Sequence, residues 1–310
     1  MTSSVSPPPL TPARLSVLLH AIGEQCGLPT GDAQPIRFVN NAVFAFPRAH
    51  VVVRIAGSQT VRNRVPNVIA AARWLARHDF PAVRLLEEVA QPVLVDGHVA
   101  TLWHQVPLAD AGLSKAFGRG DEGAELGRML RRLHSLPYDD LELSAWDPLK
   151  AVHSRVAEET AGLTSAEKDA LLVCCETVER TLPGLPYMLP AGPIHGDPLL
   201  SNTILGPEGL VLCDLDGFCH GPREWDLTPA AVGILRFDYP GDTHTPLSQA
   251  YGFNVMDWPG FSVLRQVREL NLITSVLPVL ASKPSLQPEW RRRFESFMAG
   301  DREQLWRPYI

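Results

Sequence analysis

A chain of 310 residues, 45% hydrophobic and 20% charged, can bury a substantial core without disulfide or metal staples, as one large domain or two modest ones. Its formal net charge of -6 argues against a general nucleic-acid or anionic-membrane binder and points to a small-molecule partner. The five cysteines (Cys26, Cys174, Cys175, Cys213, Cys219) include no C-x-x-C pair, which suggests neither a zinc ribbon nor a disulfide framework and fits a reducing cytoplasm.

Residues 1–12 are rich in Ser and Pro and lack the basic start and apolar stretch of a signal peptide, so a disordered lead-in is expected there. No apolar run approaches the roughly 20 residues that span a bilayer. Phe44-Ala45-Phe46 and Val51 to Ile55 read as strands joined by a turn at Pro47-Arg48-Ala49-His50. Pro66, placed in a first helical turn, precedes a stripe of Val68, Ile69, Ala72 and Leu75 that ends before Phe80-Pro81. Val93 to Val95 and Val99 to Trp103 read as strands around the Asp96-Gly97 turn. After Pro107 the pattern becomes helical. Leu126, Met129, Leu130 and Leu133 recur at i, i+3, i+4 and i+7. Thr164 and Glu167 form a capping-box pair ahead of Leu171, Cys175, Val178 and Leu182, and the vicinal Cys174-Cys175 read as packing residues. Strands with a helix followed by a mainly helical remainder predict an α+β chain in two lobes.

The chemistry concentrates between Ile194 and Gly217. His195-Gly196-Asp197 opens a loop that reaches Asn202, Thr203 to Cys213 reads as a tight hairpin turning at Gly206-Pro207-Glu208-Gly209, and Asp214 stands where the returning strand ends. The hairpin folds Asp214 back toward Asp197 and Asn202. Three oxygen-bearing side chains converging on one point suit Mg²⁺, a hard cation that takes few protein ligands and keeps positions for phosphate and water.

This order resembles the kinase sequence H-R-D-x-x-x-x-N, hairpin, D-F-G, written here as H-G-D-x-x-x-x-N and Asp214-Leu215-Asp216. Gly196 in place of Arg, together with Gly221-Pro222-Arg223-Glu224-Trp225-Asp226-Leu227, resembles the aminoglycoside phosphotransferase family. So do Leu126 to His134, similar to the helix before its catalytic loop, and Val51 to Ile55, similar to its phosphate-contacting strand. The resemblance implies a bilobal protein-kinase-like fold, with a nucleotide-binding lobe and connector over 13–106 and a catalytic, acceptor-binding lobe over 107–310. It implies that Asp197 takes or orients the proton of the attacking hydroxyl, that Asn202 and Asp214 hold Mg²⁺, and that Arg54 contacts the phosphates of ATP or GTP. It also implies that the backbone of His104 and Val106 meets the adenine edge and that Ile204 lies under the base. His195 and Asp226 are implied as structural supports of the loop.

Two departures stand out. The stretch Arg37 to Phe44, where the phosphate-covering turn belongs, has no G-x-G-x-x-G, and the helix position expected to carry a Glu partner for Arg54 holds Asn67. Asp216 reads equally as a second metal contact or a solvated loop carboxylate. The leading function is transfer of a γ-phosphate to a hydroxyl of a small molecule, an antibiotic inactivated by the reaction. A metabolic kinase acting on a sugar, choline-like or amino-alcohol acceptor and a nucleotide-binding pseudokinase are the alternatives. From Leu235 to Ile310 eight acidic residues face nine basic ones, so no carboxylate surplus awaits a polycation. The rings of Phe237, Tyr239, Tyr251, Phe253, Trp258 and Phe261 suggest instead a weakly charged, ring-bearing acceptor.

Overall fold

The computed structural model describes residues 10–38, 41–110, 121–158 and 162–309. The chain divides into two compact units, the first made of Met1–Ser114, Pro137–Ser144 and Ser201–Phe218, the second of Lys115–Leu136, Ala145–Leu200 and Cys219–Ile310. No helix among the described residues is long and apolar enough to cross a membrane.

The first unit is built on a five-stranded antiparallel sheet in the order β1-β2-β3-β5-β4, from β1 (Gln34–Phe38), β2 (Asn41–Phe46), β3 (Val51–Ala56), β4 (Val93–Val95) and β5 (His98–His104). The hairpin expected between β2 and β3 is present, turning through Pro47–Ala49 with His50 left-handed at φ 52°. The Asp96-Gly97 turn likewise joins β4 to β5, with φ 48° and 75°. Along β3 the period of two sends Val51, Val53 and Ile55 into one apolar core, while Val52 and Arg54 alternate onto the opposite face. The core on the first face is closed by a helix that periodicity did not reveal, α1 (Pro12–Cys26), through Leu15, Leu18, Leu19 and Ile22. Thr11 and Pro12, expected at the end of a disordered lead-in, instead open this helix: the Thr11 hydroxyl accepts the Arg14 N–H at 3.3 Å, and Pro12 occupies the first helical position.

Pro66 does not open its helix. α2 runs Gln59–Arg77, capped by the Ser58 hydroxyl accepting the Val61 N–H at 3.3 Å, and Pro66 lies inside it. A proline forfeits one helical hydrogen bond, and here Val61 and Val65 before it and Val68, Ile69, Ala72 and Leu75 after it are all buried, so tertiary packing holds both halves. The far side of α2 docks on the segment after the second carboxylate: Trp74 packs its ring on Phe218, and Asn67 Nδ2 donates to the Phe218 carbonyl at 2.6 Å. The hairpin of β7 (Thr203–Gly206) and β8 (Gly209–Leu212), which follows the short β6 (Gly192–Ile194), turns as expected between Gly206 and Gly209. Leu212 ties it down, donating to the Pro81 carbonyl at 2.8 Å and accepting from the Val83 N–H at 2.9 Å.

The second unit is mainly helical, and among its described residues β6 pairs with β9 (Cys219–Gly221) in a short antiparallel sheet. Its helices are α3 (Glu122–Ser135), α4 (Lys150–Ala157), α5 (Ser165–Thr181), α6 (Glu224–Arg236), α7 (His244–Tyr251), α8 (Phe261–Thr274), α9 (Leu277–Leu280) and α10 (Gln287–Met298). The capping box of Thr164 and Glu167 starts α5 as read, and Cys175 is buried, its thiol pushed up to about 12 chiefly by burial. Helices α3 and α7 approach to backbone contact: a Cβ on Gly127 would lie 2.3 Å from the Leu247 carbonyl oxygen. Gly127→Ala is therefore expected to destabilise the protein by about 1–3 kcal/mol in urea denaturation, because a backbone atom cannot yield as a side chain can. An unchanged midpoint would show that the helices are not held this close.

Candidate active site

Within the first unit a cavity of about 330 Å³ collects most of the residues singled out from sequence. Its apolar lining includes Val43 and Val52 from the sheet, Val83, Trp103, Val106 and Ile204, and its polar lining includes Arg37, Asn41, Arg54, Asp214 and Asp216. Aliphatic walls with a few charged groups are what a nucleotide requires, a base to cover and phosphates to grip. His104 also lines the cavity; its N–H and that of Gln105 are spent on the carbonyls of Arg84 and His50, at 2.9 and 2.8 Å, which leaves Val106 as the next amide along the connector. The tip of the covering turn, Val39 and Asn40, lies outside the described residues.

The side chain of Arg54 is 14% exposed and ion-paired to Asp216, itself 16% exposed. That pairing corrects the solvated reading of Asp216 and answers what replaces the missing Glu. The counter-charge comes from two residues beyond Asp214 instead of from the helix. Asn67, at the helix position, bonds elsewhere, to the Phe218 carbonyl and the Ser144 N–H. Asn41 backs the pair, since with its amide oxygen turned to the guanidinium it accepts from Nη2 at 2.7 Å and Nε at 3.2 Å. Asp214 sits at φ 59°, ψ 61°, a left-handed conformation that Asp tolerates better than most side chains and that ends β8 abruptly. Asn202 is buried, and its carbonyl accepts the Cys213 N–H at 2.9 Å, so backbone pairing places it beside the residue preceding Asp214. Among the described residues no three His, Cys, Asp or Glu side chains form a metal-binding cluster. One amide and one carboxylate are a sparse oxygen set, which fits a Mg²⁺ ion that retains phosphate and water ligands. Cys213 lines the cavity too, but burial and the adjacent Asp214 push its thiol up to about 11, so it stays protonated and inert.

The loop of Asp197 belongs to the second unit, where Asp226 holds it. The two Asp226 oxygens accept the N–H groups of His195 at 2.7 Å and Gly196 at 2.8 Å, and Trp225 Nε1 donates to the Gly196 carbonyl at 2.8 Å. Gly196 takes φ 87°, a backbone conformation that glycine adopts without the strain a side chain would bring. Behind Asp226 lies His134, whose Nε2 is 3.1 Å from the same carboxylate and whose Nδ1 is 2.8 Å from the Tyr251 hydroxyl. Burial pushes the Tyr251 phenol well above its ordinary value, so the hydroxyl beside His134 stays protonated. His195 is fully buried, as a support of the loop would be.

Sequence reading missed the residue that touches Asp197. Arg268 Nη1 reaches Asp197 Oδ1 at 2.8 Å from α8, with side-chain exposures of 12% and 43%. Nothing local marks it, because the contact spans 71 positions and Arg268 looks like any helix-surface arginine. The aromatic residues expected to face an acceptor are mostly core. Phe237, Tyr251, Trp258 and Phe261 are all buried, and Trp258 stacks on Tyr187 while donating to the Pro186 carbonyl, so its ring is core and not a platform. Tyr239 is the large exposed ring of the set, 50% accessible.

The model of the phosphotransferase enzyme family, APH, matches residues 38–267. No curated protein matches the chain in sequence. Among solved structures, a choline/ethanolamine kinase family protein from Mesorhizobium loti aligns over 91% of this chain and 92% of its own, with a TM-score of 0.61 and 19% identity. The amicoumacin kinase hAmiN, solved with AMP-PNP and Ca²⁺, aligns over 94% and 95% with a TM-score of 0.63 and 11% identity. The aminoglycoside phosphotransferase APH(3'')-Id from Streptomyces rimosus aligns over 83% and 97% with a TM-score of 0.59 and 18% identity. At these identities the likeness is one of fold, and the fold is protein-kinase-like.

Proposed function

The chain belongs to the phosphotransferase enzyme family and is an ATP-dependent small-molecule phosphotransferase; from that premise we propose that it moves the γ-phosphate of ATP or GTP to a hydroxyl of a small acceptor, an antibiotic inactivated by the transfer. The observation that carries the donor side is a single cavity lined by Arg54, Asp214, Val106 and Ile204. Arg54 grips phosphate oxygens with a fork whose direction is set by Asp216 and Asn41. Val106 and His104 meet the base edge while Ile204 and the sheet valines cover its faces. Asn202 and Asp214 would hold Mg²⁺, which when bound neutralises phosphate charge. Asp197 accepts the proton of the acceptor hydroxyl, and Asp226 keeps its loop in place.

Relatives named for amicoumacin and for aminoglycosides support an antibiotic acceptor, and one named for choline and ethanolamine supports a metabolite. Arg268 beside Asp197 counts against polycationic members of either class, since a guanidinium at the proton acceptor repels them.

Steady-state kinetics with ATP test the donor side. Arg54→Ala is expected to raise KM for ATP roughly ten- to hundredfold, the worth of a charged hydrogen bond to phosphate. Asp216→Asn should move the same parameter in the same direction by less, and leave the Mg²⁺ requirement unchanged. Asp214→Ala should shift the Mg²⁺ requirement upward and lower turnover. If Asp216→Asn moved the Mg²⁺ titration instead of KM, it would be a metal ligand and the Arg54 account would fall. Unchanged kinetics in Arg54→Ala and Asp214→Ala would sink the whole donor assignment.

A further inference from the structure

The Arg268–Asp197 pair is a poor structural salt bridge and an apt recognition element. Asp197 is 43% exposed, so the pair gains little against water and is readily exchanged. Arg268 is 12% exposed, so its guanidinium stands largely out of water and depends on a counter-charge. The surrounding arginines have theirs elsewhere: Arg236, Arg265 and Arg302 all converge on Glu269, one residue along α8. Among the described residues Asp197 is the ion-pair partner of Arg268.

The proposed chemistry takes that partner away. During transfer the acceptor oxygen forms a bond to the γ-phosphorus and the bond from phosphorus to the bridging oxygen of ADP breaks. The hydroxyl proton passes to Asp197, from which it later leaves to water. Once protonated, Asp197 is neutral, and Arg268 is left as an almost dry charge with no anion beside it. A neutral acceptor does nothing about this. An acceptor that carries its own carboxylate or phosphate near the reacting hydroxyl supplies the missing anion, and a guanidinium fork binds such a group through two parallel hydrogen bonds.

We propose that the acceptor is an anionic hydroxy compound whose carboxylate or phosphate takes Arg268 from Asp197, freeing Asp197 to receive the hydroxyl proton. This rests on the phosphotransferase reading and makes Arg268 the residue that sets acceptor charge. Tyr239 lies within electrostatic reach of Arg268: burial raises its phenol, and the charges of Arg293 and Arg268 act in the opposite sense. Its exposed face can cover the body of an acceptor whose anion sits on Arg268.

The test uses pairs that differ only in charge, glycerate against glyceramide and mandelate against mandelamide, with the full chain. Binding is read by thermal shift and calorimetry, and turnover with MgATP. The carboxylates are expected to bind wild type at least tenfold more tightly than the amides. Arg268→Gln should erase that preference without lowering the melting temperature of the free protein appreciably, and Arg268→Lys should restore part of it. Asp197→Asn, which removes the competing carboxylate, should tighten carboxylate binding while abolishing turnover. A purely structural Arg268 would not make binding of the acceptor depend on its charge. Amides bound as well as carboxylates by wild type, or a carboxylate preference that survives in Arg268→Gln, overturns the proposal. An acceptor preference for anions together with wild-type turnover by Asp197→Asn would leave the anion site standing and remove the phosphotransfer role of Asp197 instead.

Discussion

Asp197→Asn is expected to lower kcat by about two to four orders of magnitude while KM for ATP stays within about threefold. The substitution changes charge and leaves position alone. The amide keeps the volume and the backbone anchoring of the loop, because the Asp226 bonds to the His195 and Gly196 N–H groups do not involve the Asp197 side chain. What it loses is the ability to accept a proton. The donor cavity, lined by residues from Ile36 to Asp216 in the first unit, contains no atom of Asp197, so nucleotide affinity has no reason to change. A variant that turned over at more than about a tenth of the wild-type rate would mean that water or another group takes the proton and that Asp197 merely lines the site.

Asp226→Ala is expected to cost about 3–5 kcal/mol of stability and most of the activity, the range for breaking a buried charged network by removing one partner. Asp226 is fully buried and accepts from two backbone N–H groups as well as from His134. Its loss strands two loop donors and one imidazole N–H away from water, each at the cost of an unmade hydrogen bond. Asp226→Asn retains one acceptor oxygen and should fall between Ala and wild type. His134→Ala should cost less than Asp226→Ala, because it leaves the two loop bonds intact. Chemical denaturation of the three variants gives the order directly. Equal stability for Asp226→Ala and wild type would show that the loop is held by the Trp225 indole and chain geometry alone, and the anchoring role would be lost.

The sequence by itself determined the elements whose causes are local. The β2–β3 and β4–β5 hairpins, the capping box of α5 and the Gly206–Gly209 turn all follow from period, turn chemistry and caps within a few residues of one another. The hairpin that sets Asn202 beside the residue preceding Asp214 was equally legible, because hydrogen bonding across a tight hairpin sets where a returning strand ends. Tertiary structure alone decided the rest. Pro66 lies within α2 because burial on both sides of it outweighs one lost hydrogen bond, and α1 exists because the β2–β3 face needed a cover. Trp258 is core although turn residues flank it, since burial of a ring is settled by what packs over it. Two charge pairings, Arg54 with Asp216 and Arg268 with Asp197, join residues 162 and 71 positions apart. A charge finds its partner through space, and no period, cap or turn along the chain carries that information.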